Sequence, residues 1–416
     1  MLDPAGLLPY DLLMSELRSN PGGFDPEAPL PAAPDPWQPL PMPHLRDAPP
    51  WAMAEMISAE PALVGRVGQR LLDDGSAASL AGLIRDTIGR GETVVVTGCG
   101  TSDYAGRGAA AILREACAAA GLPAPGPQSA GAFELSCDPP SGLVIGVSHE
   151  GGTAATIAAL DAARQRGART ALITGSASSP AAEGCDVVLA TVEMDRSWCH
   201  TVGYVSPLAA ACVTAGLIAG HTPDPQRLRR RLAMGLEAAR GHHGAMGNAA
   251  ARAKQLLVIA SGADRITARE LSLKVEEAAW LPTTARALET FLHGHLPATG
   301  PDTALVLLLL ERGAIERRAA RARQALAAAA VVGIRPGAIL GEHAAVLIPD
   351  TLTPAGRIVV PDMPELPNEA AALLGAAAPL QLLTLAIAAA RGTNPDPIRR
   401  DDPRYLRAAD VADSPI

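Results

Sequence analysis

Apolar residues recur at two spacings along this chain. From Trp51 onward, Met53, Met56, Ile57, Leu63, Val64 and Val67 fall at helical intervals, which predicts an amphipathic helix. The spacing then changes. Residues 93–97, Thr-Val-Val-Val-Thr, form a short β-branched run of the kind that a parallel sheet buries on both faces. It leads straight into Gly98-Cys99-Gly100-Thr101-Ser102, after which an alanine-rich helix is predicted through Cys117. The unit returns as a strand over 143–147, the loop Ser148-His149-Glu150-Gly151-Gly152-Thr153 and a helix over 154–164. Two more strands are predicted at 170–174 and 187–191.

Beyond about residue 240 the series starts again, with a strand over 255–260 ending in Ser261-Gly262 and a helix over about 267–280. Strands are predicted at 304–310, 331–334, 346–348 and 357–360. Strands alternating with helices of this length predict α/β architecture, here two successive doubly wound parallel-sheet domains. The duplication is one of architecture rather than of residue identity. The expected division is an N-terminal arm over 1–50, a first domain over 51–240, a second over 241–395 and a tail over 396–416. The arm holds 13 of the 37 prolines; proline fixes φ and removes a backbone donor, so an extended segment is expected there. Residues 370–390 are apolar over a length that could span a membrane. Alanine supplies much of the stretch, and Pro379, Gln381 and Thr384 interrupt it, so a buried core helix and no membrane partner are expected.

Composition narrows the function. With 48% hydrophobic residues in 416 there is ample material for a core. Four Trp, four Tyr, three Phe and a formal charge of −8 argue against nucleic acid as a partner, which needs basic patches or stacking platforms. The six cysteines contain no CxxC pair, so neither a zinc ribbon nor a disulfide scaffold is expected. His242, His243 and His295 lack companion ligands at metal spacing, and no metal is expected. No charged-then-apolar leader opens the chain, which predicts a cytoplasmic protein. Lysine is nearly absent: of 35 Lys and Arg, only Lys254 and Lys274 are lysines. A lysine kept against such a bias is a candidate for chemistry, because arginine cannot stand in for a compact, titratable ammonium.

The two hydroxyl-rich loops fall just beyond strand carboxyl ends, where open parallel sheets bind ligands. Each also opens a helix, whose free N–H groups favour an anion. Thr101 and Ser102 in the first loop, with Ser148 and Thr153 in the second, are either helix N-caps or hydroxyl donors to a phosphate. Two such loops in one sheet favour the second reading. In the later half, Glu270, Lys274 and Glu277 are spaced i, i+4, i+7 and share one helix face. They form either an exposed salt-bridge ladder or a catalytic group. The scarcity of lysine, and His293-Gly294 sixteen residues after Glu277, favour chemistry. In Trp198-Cys199-His200-Thr201, ahead of a helix expected near Ser206-Pro207, His200 is a buried structural histidine or a pocket residue. Cys99 reads as a small apolar filler rather than a nucleophile.

Cys99-Gly100-Thr101-Ser102 and Ser148-His149-Glu150-Gly151-Gly152-Thr153 resemble the phosphate loops of the SIS (sugar isomerase) domain family. Over residues 51–408 the chain looks like the double-SIS (flavodoxin-like) isomerase portion of glucosamine-6-phosphate synthases, without their glutaminase domain. The resemblance includes Glu55-Met56-Ile57 with Glu60-Pro61, the loop from Thr174-Gly175-Ser176 to Ala182, and Pro379-Leu380-Gln381-Leu382-Leu383. It implies that Glu277 is the base moving a proton between C1 and C2, that His293 assists ring opening, and that Lys274 and Glu270 are supporting charges. It also implies a homodimer with shared active sites, since the family histidine reaches into the partner's site. Thr101, Ser102, Ser148, His149, Glu150, Thr153 and His200 would bind substrate. A carboxylate suits 1,2-proton transfer because burial raises its pKa toward neutrality.

Two departures qualify the resemblance. The synthases carry a Schiff-base lysine in the C-terminal tail, whereas Arg399-Arg400-Asp401-Asp402-Pro403 contains none, so a covalent imine is not expected there. Glu150 and His149 stand where the family often has serine and glutamine, and a carboxylate beside a phosphate dianion is unfavourable; Glu150 is expected to accept sugar hydroxyls, with a substrate carrying a weaker anion or none. The function expected is an aldose–ketose isomerase or amino-sugar-phosphate deaminase working through an enediol(amine). The alternatives are a non-catalytic sugar-phosphate sensor and an ammonia-dependent isomerising aminotransferase subunit. No cofactor is expected, since the substrate carbonyl is the electron sink.

Overall fold

The computed structural model describes residues 23–412. It contains two five-stranded sheets in which all neighbouring strands are parallel. The first is built from β1 (Val94–Gly98), β2 (Gln128–Gly131), β3 (Leu143–Ser148), β4 (Arg169–Thr174) and β5 (Val187–Ala190), in the order β2-β1-β3-β4-β5. The second is built from β6 (Gln255–Ala260), β7 (Thr283–Ala287), β8 (Thr303–Leu309), β9 (Pro336–Gly341) and β10 (Arg357–Val360), in the order β10-β9-β8-β6-β7. Taken from its other edge, the second order is the first advanced by five strands. The expected pair of doubly wound α/β units is therefore present in topology.

The longer helices are α1 (Ala52–Asp73), α2 (Ser76–Gly89), α3 (Thr101–Ala119), α4 (Ala154–Gln165), α5 (Val202–Ile218), α6 (Pro225–Ala239), α7 (His243–Ala251), α8 (Asp264–Ala279), α9 (Ile315–Val331), α10 (Asn368–Arg391) and α11 (Pro403–Ala412). The central strands β3 and β8 are buried at every position, which is why they read as unbroken apolar runs.

Two expected strands are corrected. Residues 331–334 close α9 and the turn after it, with the Val331 side chain 87% exposed, and the strand begins only at Pro336. Residues 346–348 follow a short helical turn over Glu342–Ala345 and form no strand. The strands β2 and β7 were not anticipated. Their sequences, QSAG and TTARA, are polar and only partly buried, and they become strands by pairing with β1 and β6.

The apolar stretch at 370–390 lies in α10, long enough to cross a membrane by length and composition, but residues 370–388 are buried within the protein. It packs on α6, α7 and α8. Val96 and Val147 in the first sheet, Leu256 and Val258 in the second, and Leu208, Leu232, Leu373 and Leu380 of the helices belong to one hydrophobic core. That shared core sets α8 of the second half against α3 of the first.

Between residues 23 and 50 the chain forms no helix and only an isolated antiparallel bridge, Ala32 with Glu193. Ala33 N–H donates to Val192 O at 3.0 Å, and Met194 N–H to Pro31 O at 2.9 Å. The Glu193 carboxylate accepts Leu30 N–H at 2.7 Å and is held by Arg66. The rest of the arm, residues 1–22, lies outside the described residues.

Candidate active site

Backbone geometry shapes the first loop. A Cβ at Gly98 would lie 2.7 Å from the Ser102 carbonyl carbon and 2.9 Å from Val147 O, so the strand can turn into α3 at this closeness only without a side chain. Gly100 follows at φ 56, ψ −128, a conformation that disfavours any L side chain. This turn buries Thr101 and leaves Ser102 partly exposed at the start of α3; the Ser102 hydroxyl makes no hydrogen bond among the described residues. Burial pushes the Cys99 thiol up, and its neighbour is the Thr156 hydroxyl at 3.8 Å; such a thiol is a poor nucleophile.

In the second loop the buried Ser148 hydroxyl accepts Gly151 N–H at 3.2 Å and donates to Thr153 Oγ1 at 3.4 Å. Thr153 is exposed at the start of α4. The arm lies over this loop. Trp37 Nε1–H donates to Glu150 O at 2.8 Å, and Leu40 N–H donates to the Glu150 carboxylate at 3.3 Å. The Trp37 ring stands where a Cβ on Gly152 would be, 2.7 Å away. The Glu150 carboxylate is thus turned toward the arm.

His149 is buried and accepts Asp195 N–H on Nε2 at 3.1 Å. Asp195 in turn accepts N–H donations from Thr201, Val202 and Gly203, capping the start of α5. The His200 ring packs edge-on against His149 with centroids 5.1 Å apart. Loss of solvent pushes His200 down to about 3, only partly offset by the Asp195 charge, so its imidazole is neutral at physiological pH.

The helix face expected for Glu270, Lys274 and Glu277 turns out to be directed inward. Lys274 is fully buried, with Nζ 2.5 Å from Glu277 Oε2 and 3.9 Å from Glu270 Oε1. Burial works to lower the lysine pKa, but Glu277, Cys199 and Glu270 outweigh it and hold the ammonium above its usual range. Burial lifts Glu270 to about 8, against the pull of Lys274 and of the Thr101 hydroxyl facing it from the first loop. Burial thus favours the neutral form of Glu270 beside the Lys274 ammonium, in a medium where a lone charge is costly. An exposed salt-bridge ladder is excluded.

Around this triad stand buried polar residues that sequence spacing did not single out. Glu60 of α1 is fully buried and its carboxyl is pushed well up by burial, opposed by the Gln381 side chain of α10. Tyr204 of α5 is likewise buried, its phenol raised by burial with Glu270 adding to the rise. Glu60 and Gln381 fall in stretches that the family resemblance includes, whereas Tyr204 carries no signal of that kind.

Glu277 is partly exposed and borders a cavity of ≈ 480 Å³ together with Glu276, Trp280, Arg399, Arg400 and Tyr405, within the size range of small-molecule sites. Ile398 and Arg399 take left-handed φ values of 45° and 65°, strain that a fold retains where it positions a side chain. The Arg399 guanidinium lies between the Trp280 and Tyr405 rings, and Arg400 lies over Trp198. The lysine-free tail thus brings two arginines to the cavity that Glu277 borders. His293 lies elsewhere. It is exposed, 3.1 Å from Glu289 and 3.0 Å from Arg321, in a kinked segment after β7, and makes no contact with the triad within this chain.

Residues 90–217 match the SIS domain family. No curated protein matches the chain. Among solved structures, the C-terminal domain of glucosamine-fructose-6-phosphate aminotransferase from Francisella tularensis is similar at 18% identity and TM-score 0.70, over 85% of this chain and 99% of that one. Tagatose-6-phosphate ketose/aldose isomerase from Escherichia coli is similar at 18% identity and TM-score 0.66, over 86% of this chain and 97% of that one. Glucosamine-6-phosphate deaminase from Thermotoga maritima is similar at 15% identity and TM-score 0.61, over 83% of this chain and 96% of that one. The matched residues 90–217 hold the first sheet, and the second sheet repeats its strand order, so the chain shares the two-sheet fold of these structures.

Proposed function

We propose that this protein is a cytoplasmic sugar-phosphate enzyme, an aldose–ketose isomerase or amino-sugar-phosphate deaminase, built from domains 51–240 and 241–395. The observation that carries the reading is a buried lysine between two glutamates on α8, facing the Thr101 loop of the other half. Three proteins of the same fold are named for reactions on phosphorylated sugars, and proton transfer between C1 and C2 is a step that isomerisation and deamination share.

In this reading Ser102, Ser148 and Thr153, with loop N–H groups, hold the phosphate or a weaker anion. Thr101, His149 and His200 shape the sugar pocket, while the Glu150 carboxylate, expected to accept sugar hydroxyls, faces the arm instead. Glu277 takes the proton from one carbon of the opened sugar and returns it to the neighbouring carbon, passing through an enediol or, with a 2-amino group, an enediolamine. Lys274 holds the Glu277 carboxylate in place through its ammonium, and Glu270 stands on the other side of that ammonium. With an aminated substrate, the C2 imine formed adds water and releases ammonia and ketose. Arg399 and Arg400 contribute fixed positive charge and no imine. His293 serves ring opening in the site of a second copy, which makes the enzyme a homodimer with shared sites.

The test is exchange of the C2 proton in D2O over a panel of hexose and hexosamine 6-phosphates and their unphosphorylated counterparts, with ammonia measured in parallel. Exchange without ammonia identifies an isomerase, and exchange with ammonia a deaminase. Binding without exchange would overturn the enzymatic reading in favour of a sensor.

A further inference from the structure

The second sheet offers the same crevice as the first, at the carboxyl ends of β6 and β8, where the strand order turns. Its chemistry differs. After Ser261 it has Gly262 and Ala263, with Glu311 from beyond the end of β8 beside them. Ala263 N–H donates to Glu311 Oε2 at 2.5 Å, and Arg318 pairs with Glu311 Oε1 at 2.5 Å. A Cβ on Gly262 would collide with that carboxylate. The start of α8 is therefore occupied by the protein's own anion and is not free for a ligand.

Beside this filled position lies a cavity of ≈ 440 Å³ walled by both halves. Five arginines line it: Arg107 and Arg114 from α3, Arg265 and Arg269 from α8, and Arg318 from α9. Two are neutralised, Arg107 by Asp103 at 2.8 Å and Arg318 by Glu311. Arg114 gives one N–H to Pro127 O and Arg265 one to Gly262 O. Neither of these, nor Arg269, forms an ion pair among the described residues. Glu369 on the same wall is pushed up to about 7, first by burial and then by Glu311 and Glu115, against the pull of Arg114, so it offsets the arginines by less than a full charge at neutral pH. Three unneutralised guanidinium groups thus face one cavity in a protein of formal charge −8. Guanidinium forks match phosphate oxygens in geometry and charge.

We infer that this cavity is a second anion site, taking the phosphate group of a small phosphate monoester on Arg114, Arg265 and Arg269. Because these arginines come from α3 and α8, a bound phosphate ties the two halves together. Arg265 and Arg269 are exposed on the helix whose inner face carries Glu270 and Lys274. A ligand here would therefore steady the junction at which Thr101 faces Glu270, a consequence that rests on the proposed function, whereas the binding itself does not.

The experiment uses inorganic phosphate as probe on the full chain, read by 31P line broadening and thermal shift at ionic strength held constant with chloride. The intact protein is compared with R265S/R269S, R114S and S102A/S148A. Arg114, Arg265 and Arg269 are exposed, so serine there leaves the fold in place. A phosphate-binding phase weakened at least tenfold in R265S/R269S and in R114S, yet retained in S102A/S148A, is the expected result. Binding unchanged in both arginine variants, a thermal shift that chloride reproduces, or no phosphate binding at all would overturn the inference. Loss confined to S102A/S148A would also overturn it while leaving the proposed function standing; loss confined to the arginine variants would sustain it and count against the hydroxyl loops as a phosphate site.

Discussion

Lys274 Nζ lies 2.5 Å from Glu277 Oε2, with the lysine side chain wholly buried and the glutamate 23% exposed. One end of the pair is fixed in the core and the other reaches a cleft. A carboxylate held this way is positioned from behind and partly exposed in front, the geometry that the proposed base requires.

Glu277→Gln keeps the shape of the side chain but cannot take a proton. C2 exchange is expected to fall by about 10²–10⁴-fold, the usual contribution of a positioned base. Sugar-phosphate affinity measured by calorimetry should stay within a few-fold of the parent. Retained exchange would reassign the base.

Lys274→Met removes the only cation buried between Glu270 and Glu277. Breaking a buried pair on one side costs about 3–5 kcal/mol, so denaturant unfolding should show a loss of that order. A variant as stable as the parent would mean that the carboxylates find other partners.

Glu270 titrates near 8 in the fold because burial disfavours its charged form, whereas an unfolded glutamate titrates near 4.5. Between those values the native chain keeps a proton that the unfolded chain has lost. The stability due to this group is therefore complete below about pH 4.5 and declines as pH rises through 8. Thermal melts of Glu270→Gln should lose less stability than the parent between pH 5 and pH 8; parallel curves would place the carboxyl in a wetter setting.

Trp37→Ala removes the indole that bonds Glu150 O and covers Gly152. A hydrogen bond of this kind contributes about 1 kcal/mol. Amide exchange at Gly151 and Gly152 is expected to rise several-fold, and KM to change more than kcat. Unchanged protection in this loop would mean that the arm rests on it without holding it.

Gly98→Ala places a methyl group against the Ser102 backbone and Val147 O. Backbone cannot yield as a flexible side chain can, so α3 must shift at its start. Ligand-induced stabilisation should be lost by tenfold or more in affinity, with a lower melting temperature. Tight binding in this variant would show that the loop adapts.

Sequence reasoning located the central strands and the α8 triad because both are local patterns. An apolar run such as 143–148 and three residues on one helix face carry their meaning within a few turns of chain. The loops were legible for the same reason, since glycine and hydroxyl residues directly after a strand mark a strand-to-helix turn. Residues 331–334 misled, because Val331 and Val332 carry β-branched side chains at a helix end where exposure, not pairing, sets their state.

By itself, the sequence determined that parallel α/β units repeat, that α10 is apolar, and that Glu270, Lys274 and Glu277 share a face. Only the tertiary structure decided that this face turns inward toward Thr101, that Glu60, Tyr204 and Gln381 join it, that the tail brings arginines beside Glu277, and that the arm covers Glu150. Periodicity fixes which side of an element is apolar or charged. Which distant element meets that side depends on the packing of the whole core, where charges on α8 are shielded from water by helices more than a hundred residues away in the chain.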